Sequence, residues 1–271
     1  MIKQAIIPLA GLGTRLLPLT SVFAKELLPI NGKPGLEYIL DECIEAGIKE
    51  VVFIISKKKT IIKDYFYKDN FYKSIIKKKK DPRIINEYKK ILKYKKMIKF
   101  VYQNKPLGTG DAVLKTQKFI KNKFFLMLLP DDLIIKQNCS KAMIKLHNRY
   151  KSSVMASMKV DRNTVSRWGI YKLSEKLNKN NYLINDVIEK PSIKTAPSNK
   201  AVIGRYILPK SIFSKLKKQK SGKDGEIHIT DAIQSLIKDK NKFIAHNFSG
   251  KYLDCGSMQG YIKSTLEISK L

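Results

Sequence analysis

A short apolar segment, Ala5-Ile6-Ile7-Pro8-Leu9-Ala10, runs straight into Gly11-Leu12-Gly13-Thr14-Arg15, and Lys25-Glu26-Leu27-Leu28-Pro29 follows soon after. This order constrains the fold more than any other feature of the chain. The apolar run reads as a strand. Two glycines one residue apart let the backbone turn sharply at the strand's C-terminal end and approach an anion closely, because neither carries a Cβ. The N–H groups of such a turn form a nest for anions. Arg15 adds a planar, permanently charged fork suited to phosphate oxygens, and Lys25 a movable point charge. Together they describe a pocket for several phosphates, although the two glycines by themselves suit a plain strand-to-helix turn equally well.

Two commoner glycine motifs are excluded. A dinucleotide-binding loop needs a third glycine where Leu16 stands, and an acid near the end of the next strand, which here ends in Ile54-Ile55-Ser56. A P-loop needs Gly-Lys-Ser/Thr, and Gly222-Lys223-Asp224 lacks both the hydroxyl and the upstream glycine.

A chain of 271 residues with 43% apolar content is long enough to bury a sizeable core, and one large α/β domain is expected. Cys43, Cys139 and Cys255 stand at unrelated spacings that fit neither a disulfide framework nor a zinc site, so a reducing, cytoplasmic setting is expected. The longest apolar run, Phe124 to Pro130, is too short to span a bilayer, and no membrane partner is expected. The formal charge of +31 raises nucleic acid as a partner. Aromatics at Tyr65, Phe66, Tyr67, Phe71 and Tyr72 lie between Lys57-Lys58-Lys59 and Lys77 to Lys80, where a stacking platform for single strands is conceivable. A solvated lysine face with its aromatics turned inward is the favoured reading, and no nucleic acid is expected.

Further along, Lys33-Pro34 opens a helix whose apolar residues Leu36, Ile39, Leu40, Cys43 and Ile44 lie on one face, and Gly47 closes it. Glu50 to Ile55 reads as a buried parallel strand, completing a βαβ unit. Residues 57 to 99 read as basic helices broken at Asp81-Pro82, and Ile98 to Gln103 as the next strand. The turn from Gln103 to Ala112 again sets glycines between strand and helix, with an amide at its start that offers a donor and an acceptor to a base. Phe124 to Leu129 is the most apolar strand. It delivers Asp131 and Asp132 to the strand end, where α/β sheets bind ligands and where acids commonly hold a metal, a helix N-cap being the other reading. Strands are expected at Ser153–Val160, Trp168–Leu173, Tyr182–Glu189 and Ala201–Leu208, then a helix over Thr230–Lys238, a strand over Phe243–Phe248 and a closing helix. His147, His228 and His246 have no spacing of a metal site or a triad.

The order Gly-Leu-Gly-Thr-Arg, Lys-Glu-Leu-Leu-Pro, Leu-Gly-Thr-Gly-Asp-Ala (107 to 112), Leu-Pro-Asp-Asp (129 to 132), Glu-Lys-Pro (189 to 191), Gly-Arg-Tyr (204 to 206), Gly-Glu-Ile-His-Ile-Thr-Asp-Ala (225 to 232) and Asp-Cys-Gly (254 to 256) resembles the sugar nucleotidyltransferases. Within that family the likeness is to the bacterial UTP-glucose-1-phosphate uridylyltransferases, over nearly the whole chain.

The resemblance implies a Rossmann-like nucleotidyltransferase fold: a mixed, mostly parallel central sheet flanked by helices, with a smaller antiparallel sugar-binding part. One domain, 1–271, would comprise a nucleotide-binding part (1–150) and a sugar-binding part with the C-terminal helix (151–271). It implies transfer of a uridylyl group from UTP to glucose 1-phosphate by Mg²⁺-assisted in-line displacement. Leu9, Ala10, Gly11, Gly13, Thr14, Arg15, Gln103 and Gly108 would bind the nucleotide, with Gln103 and Gly108 at the uracil. Gly169, Glu189, Lys190 and Gly204 would bind the sugar phosphate, Asp131 and Asp254 the metal, and Arg15, Lys25 and Lys190 would be catalytic. Two departures stand out: Asp111 where relatives usually have histidine, and Ala24 where they usually have proline, which implies a less rigid loop. Relatives commonly assemble as dimers or tetramers, so a homo-oligomer is expected. Glucose-1-phosphate thymidylyltransferase is the nearest alternative, and a basic single-strand-binding protein on the same fold is the alternative from another class.

Overall fold

The computed structural model describes residues 2–222 and 225–271; Lys223 and Asp224 of the rejected P-loop triplet lie outside them. In chain order the first half comprises β1 (Gln4–Pro8), the β2–β3 hairpin (Pro29–Ile30, Lys33–Pro34), α1 (Gly35–Glu45), β4 (Glu50–Ile55), α2 (Thr60–Tyr67), α3 (Asn70–Lys79), α4 (Pro82–Met97), β5 (Ile98–Tyr102), α5 (Gly108–Lys115), β6 (Phe124–Leu128), β7 (Asp132–Ile135) and α6 (Cys139–Tyr150). The second half comprises β8 (Ser153–Lys159), β9 (Gly169–Asn178), β10 (Asn181–Glu189), β11 (Lys200–Pro209), α7 (Ile212–Lys218), α8 (Ile229–Lys238), β12 (Phe243–Asn247), β13 (Lys251–Asp254) and α9 (Met258–Ile268).

One mixed sheet carries the order β5-β4-β1-β6-β11-β8-β12-β10-β9. β5, β4, β1 and β6 run parallel, whereas β11 is antiparallel to both β6 and β8. The glycine turn after β1 therefore leaves the same sheet edge as the acids after β6. Alternation along β1 feeds two cores. Ala5, Ile7 and Leu9 pack with Leu36, Leu40, Phe66, Tyr94 and Met143 on one face. Ile6 and Ala10 pack with Val113, Phe213, Leu216 and Ile233 on the other. Each fully buried Leu, Ile, Val, Phe or Met among them contributes about 1.5–3 kcal/mol.

The strands expected in the second half form, and the outermost, β9, is exposed along most of its length beyond Tyr171. β11 is buried from Ala201 to Pro209 because it lies mid-sheet, covered on both faces, so its sequence is continuously apolar apart from Gly204 and Arg205. The break at Asp81-Pro82 is a helix start: the Asp81 carboxylate accepts from the Arg83 N–H (2.8 Å), with Pro82 at the first helical position. The basic segment is mostly a solvated face, with Phe66 inside and Phe71 outward. Lys59 departs from that expectation and is buried. Among the described residues no helix is long and apolar enough to cross a membrane, and all three cysteines are free and buried.

Candidate active site

β1 ends at Pro8, and the chain passes through Gly11 to Gly13, whose φ of 72° is left-handed and suits glycine. A single 3₁₀ turn, Thr14–Leu16, follows. Ala10, Gly11, Gly13 and Thr14 line a cavity of about 440 Å³ together with Lys25, Gln103, Gly108 and Asp131. Leu9 is fully buried and does not line it. Ala24 has a φ of −69°, the value a proline ring would impose, so the backbone takes that course without the ring.

A second cavity, about 220 Å³, lies on the other side of Leu129 and Asp131, which line both. Arg15, Asp132, Trp168, Gly169, Glu189, Gly204, Thr230, Tyr252 and Asp254 complete most of its wall. Predicted residues from opposite ends of the chain thus meet in two adjoining chambers. Lys190 does not line either chamber. β10 ends at Glu189, and Lys190, exposed and with a φ of 45°, turns away while its N–H donates to the Trp168 carbonyl (3.0 Å).

At the joint, Lys25 Nζ is 2.7 Å from Asp131 Oδ2, and Arg15 Nη2 is 3.6 Å from the same oxygen. Burial opposes the Lys25 charge, but the Asp131 and Glu26 carboxylates outweigh it and hold its pKa above the ordinary value. Burial likewise pushes Asp131 up, and Lys25 and Arg15 more than reverse it, leaving the carboxyl below its usual range. Beneath Lys25, Lys59 Nζ donates to Glu26 (2.8 and 2.9 Å) and to the Leu9 carbonyl (2.9 Å), tying the start of the glycine turn to the Lys25 segment. Burial moves Glu26 up and Lys59 down.

Asp132 has a different task from its neighbour. It accepts from the Gly204 N–H (2.8 Å) and the Tyr252 hydroxyl (2.7 Å), and burial with the adjacent Asp131 charge pushes its pKa up to about 6. Gly204 is required here by close approach: a Cβ would sit 2.5 Å from both Asp132 Oδ2 and Leu129 Cβ. Arg205, fully buried, donates to both Glu42 carboxylate oxygens (3.0, 3.0 and 2.8 Å) and to the Leu129 and Gly204 carbonyls (3.2 and 2.9 Å). It clamps the acid-bearing turn to β11 and α1.

The amide of Gln103 differs from the expected donor-plus-acceptor. Its nitrogen donates to Asp111 Oδ2 (2.8 Å) and to the Gly108 carbonyl (3.1 Å), so only its oxygen is left for a ligand. Sequence reasoning also missed Thr230. It is 5% exposed at the start of α8, lines the second chamber, and its hydroxyl has no partner among the described residues. The signal was a threonine at a helix start, common enough to pass unnoticed.

Asp131 and Asp254 face one small space. A Cβ placed on Gly256 would lie 2.8 Å from Asp131 Oδ2 and 3.2 Å from Asp254 Oδ1. Among the described residues no cluster of three or more metal-ligating side chains occurs, so these two carboxylates are the available protein donors there.

The family model for nucleotidyl transferases matches residues 4–270. This chain belongs to the nucleotidyl transferase family. Among its relatives in that family, UTP-glucose-1-phosphate uridylyltransferase 1 of Staphylococcus saprophyticus is 36% identical over 271 residues, covering 99% of this chain and 93% of the relative. UTP-glucose-1-phosphate uridylyltransferase 2 of Streptococcus pyogenes is 38% identical, covering 98% of this chain and 90% of the relative. A solved UDP-glucose pyrophosphorylase complexed with UDP-glucose superposes with a TM-score of 0.86 at 38% identity, covering 100% of this chain and 99% of that one. UTP-bound UGPase from Acinetobacter baumannii gives 0.89 at 32% identity, covering 99% and 93%. The fold and the family expected from the motifs are those of these relatives.

Proposed function

We propose that the chain is a UTP-glucose-1-phosphate uridylyltransferase, transferring the uridylyl group of UTP to glucose 1-phosphate with release of pyrophosphate. The observation that carries this is the pair of chambers meeting at Asp131, with Lys25 and Arg15 at the joint. UTP would fill the chamber of Gly11, Gly13 and Gln103, and the sugar phosphate that of Gly169, Glu189 and Gly204. The relatives' names and the UDP-glucose and UTP bound to similar structures support this choice of substrates.

The reaction forms a bond from a glucose 1-phosphate oxygen to the α-phosphorus and breaks the bond from that phosphorus to the β-phosphate bridge. The nucleophile already carries roughly −1.5 to −2 charge near neutral pH, so no general base is required. The barrier lies in holding two polyanions together in line, which positioning and charge compensation lower. Lys25, kept protonated by its carboxylate neighbours, would exchange Asp131 for the α-phosphate and departing oxygens. Arg15, 60% exposed and held only loosely by Asp131, is free to meet the pyrophosphate. Lys190, next to Glu189 and exposed, would swing in with the sugar phosphate. Asp131 and Asp254 fit a divalent cation of the magnesium type, which takes one or two carboxylates and completes its shell with phosphate oxygens. When bound, it would supply further neutralisation of phosphate charge.

The test is pyrophosphate release measured across a panel of nucleoside triphosphates and sugar 1-phosphates with Mg²⁺. UTP with glucose 1-phosphate should give the highest kcat/KM. Faster turnover with a different pair would replace the substrate assignment.

A further inference from the structure

Gln103 sits just beyond β5, its own N–H bonded to the Ile55 carbonyl (2.9 Å) and its side chain 5% exposed in the wall of the nucleotide-side chamber. Both protons of its side-chain amide are used. One partner is Asp111 Oδ2 at 2.8 Å, the other the Gly108 carbonyl at 3.1 Å. Among the described residues nothing donates to Gln103 Oε1. An ionised carboxylate and a carbonyl are both acceptors only. Turning the amide end for end would therefore set its oxygen against two others inside a buried site, while leaving both its protons without those partners. Asp111 is itself 5% exposed and held from α5, with Lys115 Nζ 3.3 Å from its other oxygen. It has no freedom to swing aside cheaply.

We propose that Asp111 is a positioning residue that locks the Gln103 amide with its oxygen toward the nucleobase, and so selects a pyrimidine bearing an imide N–H. The inference rests on the reading that the nucleotide occupies this chamber. Uracil and thymine present N3–H between two carbonyls; cytosine presents a bare N3 beside an amino group. An oxygen facing N3–H makes a hydrogen bond, and the same oxygen facing the N3 lone pair of cytosine is repelled with no proton between them. Gly108, the first residue of α5, has its N–H outside the helix's own ladder and can meet one of the flanking carbonyls. A neutral amide in place of Asp111 could pair with either end of Gln103. A carboxylate can pair with only one, and does so through a charge-assisted bond.

The experiment measures kcat/KM for UTP and for CTP, each with glucose 1-phosphate, in the wild type, Asp111→Ala, Asp111→Asn, Gln103→Ala and the Asp111→Ala/Gln103→Ala double variant. In Asp111→Ala the UTP-to-CTP ratio should fall about tenfold to a hundredfold, because the amide is released to turn. The fall should be smaller in Asp111→Asn. Gln103→Ala should lower the ratio as well, and adding Asp111→Ala to it should change the ratio no further, since the two act through one contact. A purely structural role for Asp111 would reduce both nucleotides alike and leave the ratio unmoved. An unchanged ratio in Asp111→Ala, alongside a lowered ratio in Gln103→Ala, overturns the positioning role while leaving the uridylyltransferase reading intact. If Asp111→Ala does not fold, an unchanged ratio in Asp111→Leu, similar in size and without any acceptor for the Gln103 amide, has the same force. A wild type that releases no pyrophosphate from UTP removes the functional reading itself.

Discussion

Lys25 Nζ stands 2.7 Å from Asp131 Oδ2 across 106 positions of sequence, at the wall shared by the two chambers. The pair is a cation and a carboxylate that each keep the other charged in a buried place. Substrate phosphates would compete for the cation, and a divalent metal for the carboxylate.

Replacing Lys25 by alanine should lower kcat by about a hundredfold to a thousandfold, the usual loss when one preorganised electrostatic donor is removed. Arg15 remains near Asp131, so the fold should stay cooperative in a thermal melt. Near-normal turnover in the variant would remove Lys25 from the chemistry.

Asp131→Asn takes a charge from the space that Asp131 and Asp254 share. The midpoint of a magnesium titration of activity should move to higher concentration by about tenfold or more, the usual scale for a disturbed metal site. Superimposable titrations of variant and wild type would place any required metal elsewhere.

The Arg205–Glu42 pair is fully enclosed, so breaking it from one side leaves an uncompensated charge. Arg205→Met should destabilise by about 3–5 kcal/mol. The Arg205→Met/Glu42→Leu double variant should recover part of that loss. Chemical denaturation of the wild type, Arg205→Met, Glu42→Leu and the double variant decides it, and additive losses in the double variant would mean the two residues do not act as a pair.

His147 and His246 are held neutral by burial, and their pKa values lie below the ordinary histidine range. A histidine depressed in the native state contributes stability that is complete above its unfolded pKa, about 6.5, and is lost as pH falls through the native value. Asp132, raised to about 6, works with the opposite sign in the same window: its native form takes up a proton more readily, so stability falls as pH rises through it. The comparison must therefore be between proteins. The wild type should lose more melting temperature between pH 7 and pH 5 than His147→Gln/His246→Gln, in which Asp132 still titrates. Parallel curves would show that neither histidine resists protonation.

Much of this site was legible along the chain because it sits at places where strands end. Gly11, Gly13, Gln103, Gly108 and Asp131 each follow an apolar strand, and the parallel run of β1, β4, β5 and β6 brings those ends to one edge. Asp254 and Glu189 were placed through the family's motif order. The mid-sheet burial of β11, the Asp132–Tyr252 contact along the β7–β13 ribbon and the Arg205 clamp had no local signal. Each depends on pairing between segments far apart in sequence, which no period or turn residue encodes. Lys59 is the clearest case. In a run of three lysines nothing marks the third as buried, and only the packing of α2 beneath the glycine turn sets it against Glu26.

The sequence by itself determined the family, the α/β character of the chain and most of the groups that could touch phosphate, because glycines, lysines and acids at strand ends have properties that do not wait for folding. Tertiary structure decided which of those groups face a ligand and in what state. It set Asp131 toward the cavity and used Asp132 to hold Gly204 and Tyr252. It also reduced Gln103 from a donor and acceptor to an acceptor alone. The reason is that hydrogen-bonding capacity belongs to the residue, whereas what remains of it for a substrate is what the neighbours have not already taken.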